Sequence, residues 1–288
     1  MQISLSGASG FIGKELMKRF IDRGHSFTII NREAFTLPDD EFCSKKIEGS
    51  DVVINLAGAT INKRWTEHYK GKIYHSRIDT TRKIANTIIN ARKKPKVLIS
   101  NSAIGIYDAT GMHTEESLHF ANDFMGRLCR DWESEALSAK EHTQVVIFRT
   151  GLVLGDTGGA LKTMYPIFNY GLGGVIGTGQ QAFSWIHIAD LINAYGFAIE
   201  YENIEGIYNA VSPNPVTNYY FTKTFGKVLR QPAVMKVPYF ALKMIYGEGA
   251  EALASGQRVV PERLLKNGFE FKFPTIEQAL RDLYKKKL

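Results

Sequence analysis

The chain begins with the stretch Gln2-Ile3-Ser4-Leu5-Ser6-Gly7-Ala8-Ser9-Gly10-Phe11-Ile12-Gly13, which decides the fold. The residues before Gly7 predict a strand, and apolar residues at helical spacing from Phe11 to Arg23 predict a helix. A glycine turn between the two allows a pyrophosphate to approach the backbone and the helix N-terminus. The stretch therefore predicts a dinucleotide-binding site. Its expected ligand-binding residues are Gly7, Ser9, Gly10, Phe11, Ile12 and Gly13.

The end of the next strand indicates which dinucleotide binds. Residues 26–30 predict that strand, and Asn31 and Arg32 follow it. An acidic residue here would accept the ribose 2′-hydroxyl of NAD, whereas an arginine pairs with the 2′-phosphate of NADP. Glu33 could still take a hydroxyl, and Arg32 could be only a solvated surface charge. We expect Asn31 and Arg32 to bind the cofactor and favour NADP(H), with NAD(H) as the less favoured alternative.

The composition excludes several classes of protein. The chain has 288 residues, of which 44% are hydrophobic and 23% charged, and no apolar run approaches the length that crosses a bilayer. Cys43 and Cys129 lack metal-ligand spacing and the histidines form no paired motif, so we predict no metal site. The first strand begins at residue 2, which leaves no room for a signal peptide, and we expect a cytoplasmic protein.

The positive charge of the chain bears on its partners. The formal net charge is +7, which would suit nucleic acid, an anionic membrane or an anionic small ligand. The basic residues are scattered, apart from residues 92–96 and a predicted solvated helix end at Lys285-Lys286-Lys287. No nucleic-acid motif accompanies either group. A phosphate-rich cofactor accounts for the charge, so we expect a small-molecule substrate or none, no nucleic acid and no membrane.

Strand and helix patterns alternate through the first half of the chain. Further strands are predicted at residues 52–56, 97–100 and 144–149, with helices at residues 66–91 and 123–139. This alternation predicts an α/β fold with a Rossmann-type, doubly wound parallel sheet covered on both faces. Ligands of such sheets bind at the carboxyl ends of the strands. The cofactor-binding residues expected there are Leu56, Ala57, Gly58, Ser100, Thr150, Gly151 and Val153.

The character of the sequence changes after about residue 155. Eight glycines lie in residues 155–179, the strongest loop signal in the chain, and prolines punctuate short elements beyond them. We predict a dinucleotide-binding domain at residues 1–155, to which residues 184–200 return. A smaller, mixed C-terminal substrate lobe is predicted at residues 156–288. The residues expected to line the cleft between them are Gln181, Ser184 and His187.

With these residues in place, the chain resembles the extended short-chain dehydrogenase/reductase superfamily, which has the Gly7-x-x-Gly10-x-x-Gly13 spacing. More closely, it resembles the atypical NAD(P)-dependent epimerase-like, or YfcH-like, branch, which has its own C-terminal domain of unknown function. The resemblance runs nearly end to end and implies a nicotinamide cofactor, with Arg77 as a second ligand of its phosphates. The matching motifs are Asn55-Leu56-Ala57-Gly58, Arg64-Trp65, Ser76-Arg77, Trp132-Glu133, residues 149–155, Ser184-Trp185-Ile186-His187 and residues 256–261.

The chain departs from the superfamily at the catalytic positions. There a tyrosine and a lysine four residues later exchange a proton with the reacting oxygen, because the ammonium favours the phenolate. Alignment on Glu133 puts Met125 and Cys129 at these positions, and neither can do this. The resemblance implies that the atypical branch shares the loss. Ser102 matches the superfamily's catalytic serine and Tyr107 a tyrosine beside the substrate, so both are our catalytic candidates.

Each candidate also has a plainer structural interpretation. Tyr107 could be a half-buried aromatic that wedges its loop, and Cys129 could be a core residue rather than a thiol acid. His187 could be a structural histidine bonded to backbone, and Arg77 a solvated helix charge. Asp190 could cap the helix that follows it.

Two functions fit the sequence. The favoured one is an NADP(H)-binding oxidoreductase or epimerase acting on a small polar metabolite, in which Ser102 and Tyr107 orient the reacting oxygen. The alternative is a non-catalytic NADP(H)-binding redox sensor or regulatory protein. The loss of the tyrosine and lysine, with the glycines retained, suggests this alternative.

Overall fold

The computed structural model describes residues 1–36, 41–201 and 203–284. The predicted helix end at Lys285-Lys286-Lys287 lies outside these residues. The strands are β1 (Gln2–Ser6), β2 (Ser26–Ile30), β3 (Val52–Asn55), β4 (Val97–Ala103), β5 (Met112–His113), β6 (Gln144–Thr150), β7 (Leu152–Leu154), β8 (Gly174–Ile176), β9 (Ala182–Phe183), β10 (Trp185–His187), β11 (Gly206–Ala210), β12 (Val216–Thr217), β13 (Met235–Val237) and β14 (Arg258–Val259). The helices are α1 (Phe11–Ile21), α2 (Glu33–Thr36), α3 (Glu41–Ile47), α4 (Glu67–Asn90), α5 (Phe124–Leu137), α6 (Gly159–Asn169), α7 (Ile188–Glu200), α8 (Asn218–Leu229), α9 (Tyr239–Tyr246), α10 (Gly249–Ala254), α11 (Glu262–Lys266) and α12 (Ile276–Tyr284).

Six parallel strands form the central sheet in the order β2–β1–β3–β4–β6–β11. The strand order reverses between β1 and β3, and ligands of open α/β sheets bind at the carboxyl ends of the strands at such a point. Ser6 pairs with Ile30 on one side and Asn55 on the other, and Asn55 pairs with Ser100. This register aligns the carboxyl ends along one edge, beside Gly7.

Helices cover both faces of the sheet, which confirms the predicted doubly wound α/β fold. The strands are apolar on both faces because each face packs against helices. On one face α1 and α7 pack against the sheet through Leu16, Phe20 and Leu191. On the other face α3, α4 and α5 pack through residues that include Ile84 and Ala136.

Two differences between the observed elements and the prediction bear on the site. β4 continues to Ala103 rather than ending at residue 100, so Ser102 lies inside the sheet opposite Arg149. The prediction was wrong because the polar side chain of Ser102 has a buried hydrogen-bond partner instead of solvent. The glycine-rich residues 155–179 are not one loop, because α6 lies within them.

The C-terminal part of the chain contributes to the sheet and also forms a core of its own. β11, at the edge of the sheet, comes from a segment that the sequence analysis assigned to the C-terminal lobe. The separate core contains residues of α6, α8 and α12, among them Phe221, Phe225 and Leu280. Within the residues described above, no helix combines the length and the apolar character needed to span a bilayer.

Candidate functional site

The turn between β1 and α1 requires glycine at two positions. Gly7 has a φ of +72°, and a Cβ atom there would lie 2.5 Å from the carbonyl oxygen of Leu56. A Cβ atom on Gly13 would lie 2.5 Å from the carbonyl oxygen of Gly7. Only glycine fits these two positions, because the turn packs tightly against the segment after β3 and against the first turn of its own helix.

The start of α1 presents unsatisfied backbone donors. The N-cap residue is Gly10, which has no side chain to accept the first amides of the helix. The Gly10 amide itself donates to the Gly7 carbonyl over 3.0 Å. The amides of Phe11, Ile12 and Gly13 donate to no acceptor in the described part of the chain. Ser9 and Gly10 are exposed, so an anion can approach this helix end. Free amides and the helix dipole together suit a phosphate group.

The Ser6 side chain fixes the wall of the crevice opposite that helix end. Its Oγ donates to Asn55 Oδ1 over 2.6 Å and accepts the backbone amides of Leu56 and Ala57, at 3.2 and 3.3 Å. Ser6 and Asn55 are fully buried, so these bonds are shielded from water. The Ser6 hydroxyl therefore helps to hold the segment after β3 beside Gly7.

Arg32 lies at the carboxyl end of β2, on the same edge of the sheet. The side chain is exposed and makes no ion pair with any residue that the structure describes. The neighbouring Asn31 Nδ2 lies 3.4 Å from Glu33 Oε2. The guanidinium is thus available to an anion placed above Gly7.

Arg77 reaches the same edge from α4. A Cβ atom on Gly58 would lie 2.9 Å from the Arg77 Cζ atom, so the guanidinium covers that glycine. The group also packs over the Trp132 ring at 5.2 Å and donates to the Ile73 carbonyl over 3.1 Å. Burial lowers the pKa of Arg77, and no carboxylate pairs with it among residues 1–36, 41–201 and 203–284. Arg77 is therefore not a solvated helix charge.

The joint between β6 and β7 lies further along this edge. The Gly151 amide donates to the Ala210 carbonyl over 3.1 Å, and a Cβ atom on Gly151 would lie 2.8 Å from the Ser184 carbonyl oxygen. Ser100 and Thr150 are buried and Val153 is partly buried. The structure brings all the predicted cofactor-binding residues to the carboxyl edge of the sheet or to the adjoining strand β7 and helix α4.

Phe11 connects the turn to the glycine-rich segment. Cβ atoms on Gly155 and Gly158 would each lie 2.4 Å from atoms of the Phe11 ring. Gly159 has a φ of +68° and also approaches this ring. In the sequence these glycines indicate only a loop, whereas in the structure they form a slot for one aromatic side chain at the start of α1.

Ser102 does not face the cleft. Its Oγ donates to Glu133 Oε1 over 2.7 Å, and the side chain is 3% exposed. Glu133 is also held by Arg149, through Nε to Oε1 at 2.8 Å and Nη2 to Oε2 at 2.7 Å. The Arg149–Glu133 pair is buried. Burial alone would lower the pKa of Arg149, but the Glu133 carboxylate outweighs this effect and the pKa is raised.

Tyr107 belongs to the same buried network. Its hydroxyl accepts from Arg149 Nη1 over 2.8 Å and lies 2.9 Å from Asn209 Oδ1 and 3.1 Å from the Thr114 carbonyl. The side chain is fully buried, which raises the pKa of the phenol. The predicted direct contact of Ser102 and Tyr107 with a substrate therefore needs correction, because both hydroxyls are enclosed and hydrogen-bonded inside the protein.

The two residues at the tyrosine and lysine positions pack as apolar side chains. Met125 is partly buried and packs against Gly105. A Cβ atom on Gly105 would lie 3.4 Å from both the Cβ and the Cε of Met125. Cys129 is fully buried, and burial raises the pKa of its thiol to about 12. The interpretation of Cys129 as a core residue is confirmed.

Of the three predicted cleft residues, Gln181 lines a cavity with Ala182 and Arg258. Ser184 is buried, and its Oγ donates to the Gln257 carbonyl over 2.7 Å and accepts the Val259 amide over 3.0 Å. His187 is buried and its Nδ1 accepts the Ala189 amide over 3.0 Å, which caps α7. The placement of Ser184 and His187 in the cleft is corrected, because both bind backbone groups in the interior.

His187 is the structural histidine that the sequence analysis held open as an alternative. Burial, with Arg19 and Lys272 nearby, lowers the pKa of its imidazole to about 3. Asp190 does not cap α7, because its carboxylate accepts the amides of Lys272 and Phe273 at 2.8 and 2.9 Å. It ties α7 to the C-terminal segment instead.

The cavity that Gln181 lines has a volume of about 660 Å³. Its other polar lining residues are Gln180, Ser255 and Arg258. Arg258 was not among the residues predicted for the site, although it lies within the matching motif of residues 256–261. The signal that could have identified Arg258 as a site residue is an arginine two residues after a glycine within such a motif. In the part of the chain that the structure describes, no three His, Cys, Asp or Glu side chains cluster as a metal site would require.

Comparison with known proteins places the chain in a family. Residues 3–210 match the NAD dependent epimerase/dehydratase family, and residues 237–283 match a domain of unknown function, DUF1731. The chain belongs to the NAD dependent epimerase/dehydratase family. The resemblance inferred from the motifs is confirmed, including the separate C-terminal domain.

Two relatives of this family member align over almost its whole length. The Arabidopsis thaliana epimerase family protein SDR39U1 homolog, chloroplastic, is 38% identical, with 98% of this chain and 86% of the relative covered. The Homo sapiens epimerase family protein SDR39U1 is 33% identical, with 98% and 99% covered. A crystal structure of human SDR39U1 with NADPH superposes with a TM-score of 0.91 and 32% identity, covering 99% of each chain. The human protein thus binds the cofactor that was predicted for this chain from Arg32.

Proposed function

We propose that this epimerase-family protein binds NADP(H) and acts as an oxidoreductase or epimerase on a small polar metabolite. The observation that carries the proposal is the start of α1, where three backbone amides have no acceptor among the described residues, above a turn that only glycine can form. That arrangement suits a pyrophosphate. The NADPH bound by the human relative supports the same ligand.

The charged residues around the turn support NADP(H) over NAD(H). Arg32, exposed and without an ion pair in the described residues, would hold the 2′-phosphate. Arg77, partly buried against Gly58, would hold a second anionic or hydroxyl group of the cofactor. The segments Leu56–Gly58 and Thr150–Val153 would contact the cofactor through backbone groups.

The bound nicotinamide would supply hydride chemistry. This chain's own residues would orient the two ligands: the edge of the sheet holds the cofactor, and the cavity near Gln181 holds the metabolite. Ser102 and Tyr107 act through the buried network that positions β4 and β6 rather than on the reacting oxygen. We assign the proton transfer to water, since the Cys129 thiol is fully buried.

The experiment uses NADPH deuterated at C4 on each face in turn. The purified protein is incubated with it and a metabolite extract, and label transfer is read by mass spectrometry after NADPH binding has been confirmed in the same sample. Label in one metabolite is the expected result and names the substrate. Bound NADPH with no label in any metabolite would contradict an oxidoreductase.

A redox sensor is the second candidate, and one observation favours it. The side chains at the four catalytic positions are enclosed: Ser102, Tyr107 and Cys129 are buried and Met125 is partly buried. A protein that only senses the NADPH/NADP⁺ ratio needs no proton donor. It would bind the two forms with different affinities and release no product over many cofactor equivalents. A cytoplasmic location stays a prediction, and one relative is named chloroplastic.

A further inference from the structure

The cavity near Gln181 lies beside the carboxyl end of β6. Ala182 contributes to its lining, and two residues later the Ser184 carbonyl accepts the Leu152 amide over 3.0 Å. The same carbonyl lies against Gly151, at the joint between β6 and β7. A molecule in the cavity would therefore lie next to the edge at which the proposed function places the cofactor.

Arg258 is held at the cavity by one buried hydroxyl. Ser184 Oγ donates to the carbonyl of Gln257 and accepts the amide of Val259, so it binds the backbone on both sides of Arg258. Ser184 is 5% exposed, and these two bonds are therefore sheltered from water. This explains why Ser184 is buried close to the cleft without lining it.

Two further contacts fix the same segment. Arg258 pairs with Met112 in the short parallel ladder of β5 and β14. A Cβ atom on Gly256 would lie 1.9 Å from the Ala182 carbonyl oxygen, so the backbone approaches β9 as closely as glycine permits. The base of the Arg258 side chain is consequently fixed relative to both walls of the cavity.

The polar groups in the cavity are donors without an anionic partner. Arg258 is exposed and forms neither an ion pair nor a hydrogen bond through its side chain with the described residues. Among the described lining residues none is acidic. Gln180 is exposed, and Gln181 donates to the Ile176 carbonyl through one of its two amide hydrogens, over 3.1 Å. An unpaired guanidinium beside two carboxamides suits a carboxylate or a phosphate.

We propose that this cavity binds a small anionic molecule, a carboxylate or a phosphate ester, through Arg258, with Gln180 and Gln181 as additional donors. In identifying this molecule as the substrate, the proposal rests on the proposed function. The binding of the anion itself does not depend on the cofactor. The cavity volume of about 660 Å³ is in the range of small-molecule sites.

The test is a set of NMR titrations at constant ionic strength, in which the amides of Gly111 and Gly256 report on the cavity. The probes are sodium succinate, inorganic phosphate and the uncharged analogue succinamide, each with and without saturating NADPH. We expect saturable shifts with succinate or phosphate and none with succinamide. Tighter binding of succinate would indicate a carboxylate substrate, and tighter binding of phosphate would indicate a phosphate ester.

Variants of the protein separate a specific site from general attraction to positive charge. Arg258→Gln should raise the dissociation constant of the anion by about tenfold to a hundredfold, the effect of losing one charged hydrogen bond. Arg258→Lys should restore part of the affinity, and Arg92→Gln, at an exposed arginine remote from the cavity, should leave it unchanged. The dispersion of the same spectra shows that each variant is folded.

The outcomes distinguish this proposal from the proposed function. Equal shifts with succinate and succinamide, no saturable shift, or an unchanged dissociation constant in Arg258→Gln would overturn the anion site. If NADPH binds and the cavity does not respond, only the anion site fails. If the anion binds and NADPH does not, the cofactor assignment fails and the anion site stands.

Discussion

Arg32 is the residue expected to distinguish NADP(H) from NAD(H). The side chain is exposed and has no ion-pair partner among the described residues, so its replacement should leave the fold intact. Arg32→Ala should weaken NADPH binding by about 1.5–3 kcal/mol, the contribution of a charged hydrogen bond, and leave NADH binding nearly unchanged. Titration of nucleotide fluorescence measures both affinities, with Arg92→Ala as the matched control. An equal loss for the two nucleotides would mean that Arg32 has a structural role.

Arg77 should contribute equally to the binding of NADPH and of NADH. It covers Gly58 and packs over Trp132, which places it beside the part of the crevice that both cofactors would share. Arg77→Met keeps most of the packing against Trp132 and removes the charge, so NADPH and NADH should both bind about tenfold more weakly. The same fluorescence titration measures this. A selective loss of NADPH alone, or no loss of either, would contradict the assignment.

Single residues also show how far the sequence predicts a site. Gly7, Gly10 and Gly13 could be assigned because their spacing reports a backbone geometry, which is local. The roles of Ser102 and Tyr107 could not, because each depends on a partner distant in sequence: Glu133 for Ser102, and Arg149 for Tyr107. A hydroxyl at a catalytic position and a hydroxyl in a buried network look the same in the sequence.

The helix α7 depends on a neutral histidine at its N-terminus. His187 accepts the Ala189 amide, and its folded-state pKa of about 3 lies below the ordinary value of 6.5. Between these values the unfolded chain binds a proton that the folded protein does not, so stability falls as pH falls. The loss should be about 1.4 kcal/mol per pH unit below pH 6.5.

The variant His187→Asn isolates this contribution. Its side-chain oxygen can accept the same amide without titrating, and the charged neighbours Arg19, Lys272 and Asp282 stay in place. Urea unfolding at pH 7 and pH 5 should show that the wild type loses about 2 kcal/mol more than the variant. Parallel losses in the two proteins would mean that His187 becomes protonated without unfolding.

Strands and helices were predictable where a pattern repeats along the chain. β2 was predicted to the residue, and α4 to within one residue at each end, because apolar strand and helix patterns are local. β4 was predicted too short because its end is polar yet buried. α6 was missed because glycines on both sides of it dominate the signal. β11 was left out of the sheet because pairing between distant strands has no local pattern.

The buried network connects the sheet to the rest of the molecule. Arg149 on β6 binds Glu133 on α5 and, through Tyr107, Asn209 on β11. The Asn209 amide donates to Glu115, whose other oxygen accepts the Arg263 amide over 3.3 Å. With Ser102 on β4, three of the sheet strands, one covering helix and the C-terminal segment thus share one set of polar bonds. The network includes the predicted catalytic residues Ser102 and Tyr107 and is enclosed, which indicates a positioning role.

Loss of one member of the central ion pair should destabilise the whole protein. Glu133→Gln leaves the 3% exposed Arg149 guanidinium without its carboxylate, and the expected cost is about 3–5 kcal/mol of unfolding free energy. Arg149→Met should cost a similar amount because it leaves the Glu133 charge buried. The double variant has no isolated buried charge, so its loss should be clearly smaller than the sum of the two single losses. Urea unfolding of the four proteins measures this coupling. Strict additivity would show that the pair does not act as a unit and would remove the basis for a shared network.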